Sequence, residues 1–165
     1  VNNAERLVAL LRERGMTVGV AESLTGGDVT SAIVSVPGVS EVLRGGIVAY
    51  AADLKQSLLG VDAELIAEQG TVHPEVARQL ALGARAMMSA RGIPVDIGIG
   101  TTGVAGPDSA EGMPVGTVFV GISAHGVEAA HAFNFTGDRA SIRAQATAAA
   151  LELAIRAVED SGFRE

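Results

Sequence analysis

The chain has 165 residues, with 12 Lys plus Arg against 19 Asp plus Glu for a net charge of −7 at pH 7. That length predicts one domain, and 48% hydrophobic residues with 21 glycines predict a buried core joined by tight turns rather than disorder. The absence of cysteine excludes disulfides and thiolate chemistry, three dispersed histidines give no metal-ligand spacing, and an acidic chain with 3% aromatics has no basic, base-stacking surface for nucleic acid.

Val1-Asn2-Asn3-Ala4-Glu5 lacks the basic flank and apolar stretch of an export signal, and no run approaches the roughly 18 apolar residues of a membrane span. A cytoplasmic location is expected. Leu7, Val8, Leu10 and Leu11 recur at helical spacing over 4–14, closed by Gly15. Residues 17–21 predict a short strand, and Glu22-Ser23-Leu24-Thr25-Gly26-Gly27 a loop into a helix over 28–36 that Pro37-Gly38 ends. A second strand over 45–50 runs into a helix over 51–59. A short helix follows over 63–68, and Pro74 opens a long one reaching Arg91. Residues 94–100 predict a third strand, and 101–116, rich in Gly, Pro and Asp, a long loop. The runs 115–123 and 127–135 meet at Ala124-His125-Gly126 as an antiparallel hairpin. Asp138 then caps a terminal helix whose Ile142, Ala146, Ala149, Leu153 and Ala157 share one face. Together these predict an α/β fold, a three-layer α/β/α sandwich with a mixed, mainly parallel sheet, in a single domain over 1–165.

The 12 basic residues are 11 arginines and one lysine, Lys55. Guanidinium can replace a lysine wherever only positive charge is needed, but not where an amine must lose its proton. Lys55 follows the only tyrosine, Tyr50, by five residues, and both can point into one crevice. Ser23, after a strand and before Thr25-Gly26-Gly27 and a helix, presents a hydroxyl beside amides suited to an oxyanion, although serine and threonine in such loops also serve as ordinary caps. Glu22 either orients this loop or is solvated. A lysine against an apolar wall can act as base to such a serine, which makes Ser23 with Lys55 the most economical nucleophile and base in the chain. Ser40 is a spare hydroxyl for relay or attack, or a turn cap. Thr102 and Gly103, within Thr101-Thr102-Gly103-Val104-Ala105-Gly106-Pro107, suit a phosphate or ribose cradle or a plain turn. Arg139 and Arg143, at i and i+4, put positive charge at the terminal helix's N-terminus, for an anion or for solvent.

In order along the chain, Ala21-Glu22-Ser23-Leu24-Thr25-Gly26-Gly27, Gly45-Gly46-Ile47-Val48-Ala49-Tyr50 with Lys55, Thr102-Gly103-Val104-Ala105-Gly106-Pro107, Pro114-Val115-Gly116-Thr117-Val118, and Gly137-Asp138-Arg139 with Arg143 resemble the CinA C-terminal domain family. That family includes nicotinamide-nucleotide amidohydrolases, or NMN deamidases, which convert the carboxamide of nicotinamide mononucleotide to the acid and ammonia in pyridine nucleotide recycling. The resemblance implies Ser23 as nucleophile, Lys55 as base and Tyr50 and Ser40 as further catalytic residues. It implies substrate binding by Thr102 and by Arg139 or Arg143; with the loops' own chemistry, substrate binding is expected of Thr25, Gly26, Gly27, Thr102, Gly103 and Arg139 or Arg143, without metal or cofactor. His73 departs from the serine common among similar chains. Full CinA proteins also carry a molybdopterin-binding-like domain with pyrophosphatase activity, for which the 165 residues leave no room. A non-catalytic nucleotide-binding or regulatory module, or an amidohydrolase for another phosphorylated metabolite, are the alternatives. A small-molecule nucleotide is the expected partner, with no nucleic acid or membrane; a homo-oligomer is compatible with the sequence, which locates no contact surface.

Overall fold

The computed structural model describes residues 2–161; Val1, read above with the N-terminal flank, and 162–165 lie outside them. Helix α1 (Asn3–Arg14) starts on a reciprocal cap, in which the Asn2 side chain accepts from the Glu5 amide and the Glu5 carboxylate from the Asn2 amide, and stops at left-handed Gly15. The elements that follow are β1 (Val18–Glu22), α2 (Asp28–Val34), a 3-10 turn at Val39–Glu41, β2 (Leu43–Val48), α3 (Ala52–Leu59), α4 (Ala63–Gln69) and α5 (Pro74–Met87). The chain continues through β3 (Ile97–Gly103), β4 (Thr117–Ala124) and β5 (Val127–Asn134) to α6 (Arg139–Asp160), whose cap is the expected Asp138.

The fold is α/β, with helices packed on a five-stranded mixed sheet of order β2-β1-β3-β4-β5. β1 pairs in parallel with β2 and β3, whereas β3 with β4 and β4 with β5 pair antiparallel. Parallel pairing therefore does not predominate as expected, because β4 makes two antiparallel pairs, with β3 and β5, against the two parallel pairs of β1. Alternate strand residues part company. Val18, Val20, Ile97 and Ile99 join a core with Leu7 and Leu11 of α1 and Ile142 and Ala146 of α6. The intervening glycines lie under α5: a Cβ at Gly98 would stand 2.0 Å from the Ala81 carbonyl oxygen, and one at Gly121 2.0 Å from that of Ala77. The helix thus rests on bare strand backbone.

Two boundaries differ from expectation for stated reasons. α5 ends at Met87 rather than near Arg91, because Arg91 (φ +52°) and Gly92 (φ +77°) form a tight turn that pairs Ala90 with Ile93. β3 runs through Thr101, Thr102 and Gly103, expected in a loop, because these residues pair with Val120, Phe119 and Val118 of β4. Connections leaving β1 and β3 at their carboxyl ends run to opposite sides, to β2 and β4, and such a switch point forms a crevice suited to ligands. Among the described residues no helix is long and apolar enough to cross a membrane, and no group of three or more His, Asp or Glu could hold a metal.

Candidate active site

Ser23 lies one residue past β1, at the carboxyl edge of the sheet. Across from it, the Ala49 amide donates to the Glu22 carbonyl at 2.9 Å, which extends the β1–β2 pairing and carries the chain round into α3. Lys55, in the first turn of that helix, is only 1% exposed. Its Nζ donates to Ser23 Oγ at 3.0 Å and to the carbonyls of Ala49 and Tyr50, each at 2.8 Å. Burial lowers the amine's pKa from 10.5 to about 8, against the field of the Glu111 carboxylate, which raises it. A neutral amine has two N–H groups and one lone pair. Because the two carbonyls can only accept, they take both N–H groups, and the lone pair falls to the Ser23 hydroxyl. The pair is therefore arranged to pass a proton from oxygen to nitrogen.

The loop after Ser23 is held from three sides. Glu22, fully buried, accepts from the amides of Gly27 (3.2 Å), Val29 (2.9 Å) and Thr30 (3.0 Å) and from the Thr30 hydroxyl (2.6 Å). It occupies the N-terminus of α2 as an internal anion, neither solvated nor turned to the crevice. Thr101 Oγ1, fully buried beneath the loop, accepts from the Ser23 amide at 3.3 Å and shares a 2.8 Å hydrogen bond with Thr25 Oγ1. From α6, Arg143 donates to the Leu24 carbonyl at 2.9 Å and the Thr25 carbonyl at 3.0 Å, and pairs with Asp28 at 2.9 Å. Arg139 reaches the rim, donating to the Gly106 carbonyl at 2.7 Å and the Tyr50 hydroxyl at 3.3 Å. Both residues are exposed.

The five segments singled out in the sequence thus surround one edge of the sheet, and the comparisons with known proteins bear on what they are. The family model described as the CinA C-terminal domain matches residues 2–158. The chain belongs to the CinA C-terminal domain family. A putative competence-damage inducible protein of Bacillus velezensis is 47% identical over 135 residues, 82% of this chain and 31% of that protein. A CinA-like protein of Frankia casuarinae is 41% identical over 150 residues, 91% of this chain and 34% of that one. The chain spans about a third of the length of these curated relatives. Among solved structures, a CinA superfamily protein from Klebsiella pneumoniae matches with a TM-score of 0.89 at 26% identity over 96% of both chains. The competence/damage inducible protein of Agrobacterium tumefaciens matches at 0.87 and 30% identity, over 94% of this chain and 93% of that one.

Within this CinA domain several residues stand differently from the sequence reading. The Gly26 amide donates to the Ser23 carbonyl at 3.0 Å and the Gly27 amide to Glu22, so neither is free for an oxyanion. Ser40 is exposed in the 3-10 turn before β2, at the end of the sheet opposite Ser23, because β2 runs parallel to β1. Tyr50 meets Lys55 through its carbonyl; its ring, 61% exposed, meets Arg139 instead. Thr102 is 1% exposed and donates to the Thr71 carbonyl at 2.7 Å, which makes it a brace between β3 and the segment before α5, and Gly103 packs on the backbone of Thr117 and Val118. His73, by contrast, is the helix cap that its place before Pro74-Glu75 suggests, its Nδ1 accepting from the Glu75 amide at 3.1 Å. Thr101 was read only as part of a cradle loop, and Glu111 went unnoticed in the sequence. A strand extended by two residues would have exposed the first, since alternation then sends neighbouring threonines to opposite faces.

Proposed function

We propose that this domain hydrolyses the carboxamide of nicotinamide mononucleotide to the carboxylic acid and ammonia, with Ser23 as nucleophile and Lys55 as general base. The observation that carries the reading is the buried amine 3.0 Å from Ser23 Oγ whose other partners are two carbonyls. Lys55 takes the hydroxyl proton as Oγ bonds to the amide carbon. The amides of Leu24 and Thr25, which have no protein acceptor among the described residues, stabilise the oxyanion in place of those of Gly26 and Gly27. Collapse of the tetrahedral adduct breaks the C–N bond, and the proton on Lys55 leaves with ammonia. Water, activated by the same amine, then cleaves the acyl ester and restores Ser23.

Of the two candidate arginines, Arg139 is the better candidate for the 5'-phosphate. It stands exposed at the rim with two protein partners, leaving N–H groups for an anion, whereas Arg143 is committed to the Ser23 loop and Asp28. Remote phosphate binding orients the amide toward Ser23. Residues 1–165 then act as one catalytic domain without cofactor. It is tested by giving the purified domain nicotinamide mononucleotide and measuring ammonia. Stoichiometric or faster release, lost in Ser23→Ala, supports it. Saturable binding without ammonia would overturn it in favour of a nucleotide-binding module, and release from other phosphorylated amides alone would reassign the substrate.

A further inference from the structure

Residues 104–116 join β3 to β4, and their tip turns through Glu111 (φ +52°) and Gly112 (φ +73°), where Ala110 pairs with Met113. A side chain at positive φ is uncommon outside glycine, asparagine and aspartate, so the tip conformation has a claim on some compensating contact. Glu111 makes three. Its carboxylate accepts from the Thr71 amide at 2.7 Å, the Thr71 hydroxyl at 3.0 Å and the Val72 amide at 3.0 Å. The Thr71 carbonyl in turn accepts from Thr102, the neighbour of Thr101 beneath Ser23. One carboxylate therefore ties the long loop to the segment before α5 and, through it, to β3, the strand whose Thr101 accepts from the Ser23 amide.

The charge has a second destination. Near Lys55, Asp53 shares its helix, Tyr50 and Arg139 stand at the rim, and Glu22 is spent on α2. On α5, which packs against α3, Glu75 is paired with Arg78. Glu111, anchored on the amides of Thr71 and Val72 that lead into α5, raises the amine's pKa through its field against the lowering by burial. We propose that Glu111 is a positioning residue: it docks residues 104–116 beside the Ser23–Lys55 pair and supplies the counter-charge for the ammonium formed when Lys55 accepts the serine proton. The catalytic half of this rests on the function proposed above; the electrostatic half does not. A carboxylate there makes Lys55 a stronger base at the cost of a smaller neutral fraction, the balance expected of a general base working near neutral pH.

Lys55 is the only lysine in the chain, so selective carbon-13 labelling of lysine yields one side-chain signal whose pH titration reports this amine alone. In Glu111→Gln the Lys55 midpoint should fall below that of the wild type, and hydrogen exchange at the Thr71 and Val72 amides should accelerate. A loop that merely covers the site would act in the opposite direction, since its loss would hydrate Lys55 and raise the midpoint. Glu111→Asp, which keeps the charge at shorter reach, should speed exchange but lower the midpoint less, and it serves if the glutamine variant does not fold. Glu152→Gln, on the outer part of α6, should change neither. In turnover, Glu111→Gln should move the acid limb of kcat/KM to lower pH while reducing its plateau. An unmoved or raised midpoint overturns the proposal. If the wild type releases no ammonia, the amidase reading fails, and the Glu111 assignment still stands or falls on the titration.

Discussion

At the scale of single residues, the proposed mechanism assigns proton movement to Ser23 and Lys55 and leaves Glu22, Thr101 and Arg143 to hold the loop around them. Lys55→Arg keeps the charge but cannot supply a lone pair, and it should cost turnover roughly 10²- to 10⁴-fold, measured as ammonia release at saturating substrate. Activity should rise with pH along a limb near the amine's pKa of about 8, because only the neutral form accepts the serine proton. The two arginines should divide cleanly in steady-state kinetics. Arg139→Ala should raise KM, by roughly tenfold or more if it holds the phosphate, with little change in kcat. Arg143→Ala should lower kcat and leave KM near its wild-type value, since that guanidinium grips the Leu24 and Thr25 carbonyls. The meeting of Ser23 and Lys55 was legible because one is the strand-end hydroxyl and the other the sole lysine. The assignments of Gly26, Gly27, Thr102 and Arg143 were beyond reach, because which amides and hydroxyls are already spent depends on partners such as Glu22, Thr71 and Leu24 that only the folded chain brings near.

At the scale of elements, local signals did most of the work. Gly15 and Gly60 end helices in the left-handed conformation, Pro74 and Asp138 start them, and alternating apolar residues mark β4. Failures came where a local signal had two meanings. Arg91-Gly92 and Glu111-Gly112 are two-residue turns written without the usual asparagine or aspartate, and Thr101-Thr102-Gly103 reads as a loop until β4 is there to pair with it. The Ile97-Gly98-Ile99-Gly100 pattern carries more information than a strand alone, since its glycines mark where α5 touches backbone. Gly121→Ala should accordingly destabilise the domain by about 1–3 kcal/mol, read from the urea midpoint, because the new methyl would meet the Ala77 carbonyl.

For the whole molecule, the site carries a stability cost with a definite pH signature. Lys55 is held near 8 in the native state against 10.5 when unfolded, so below pH 8 both states are protonated and the native state bears a buried cation. Between about 8 and 10.5 the native amine loses its proton first, unfolding then takes up a proton, and stability rises with pH. The stability of the wild type relative to Lys55→Met should therefore increase across that interval, by an amount on the order of 3 kcal/mol, measured by denaturant unfolding at pH 7 and pH 10.5. Comparing the difference at two pH values cancels the constant penalty of leaving the Ala49 and Tyr50 carbonyls unpaired.

The grip of Arg143 on the loop after Ser23 spans 119 positions of sequence. During synthesis, a ribosome will have delivered the serine, the lysine and the whole sheet before the residue that clamps the Ser23 turn has been polymerised. A nascent chain halted ahead of α6 would carry Ser23 and Lys55 and still lack the guanidinium that fixes the turn between the serine and α2, so on the proposed mechanism competence arrives with the last helix.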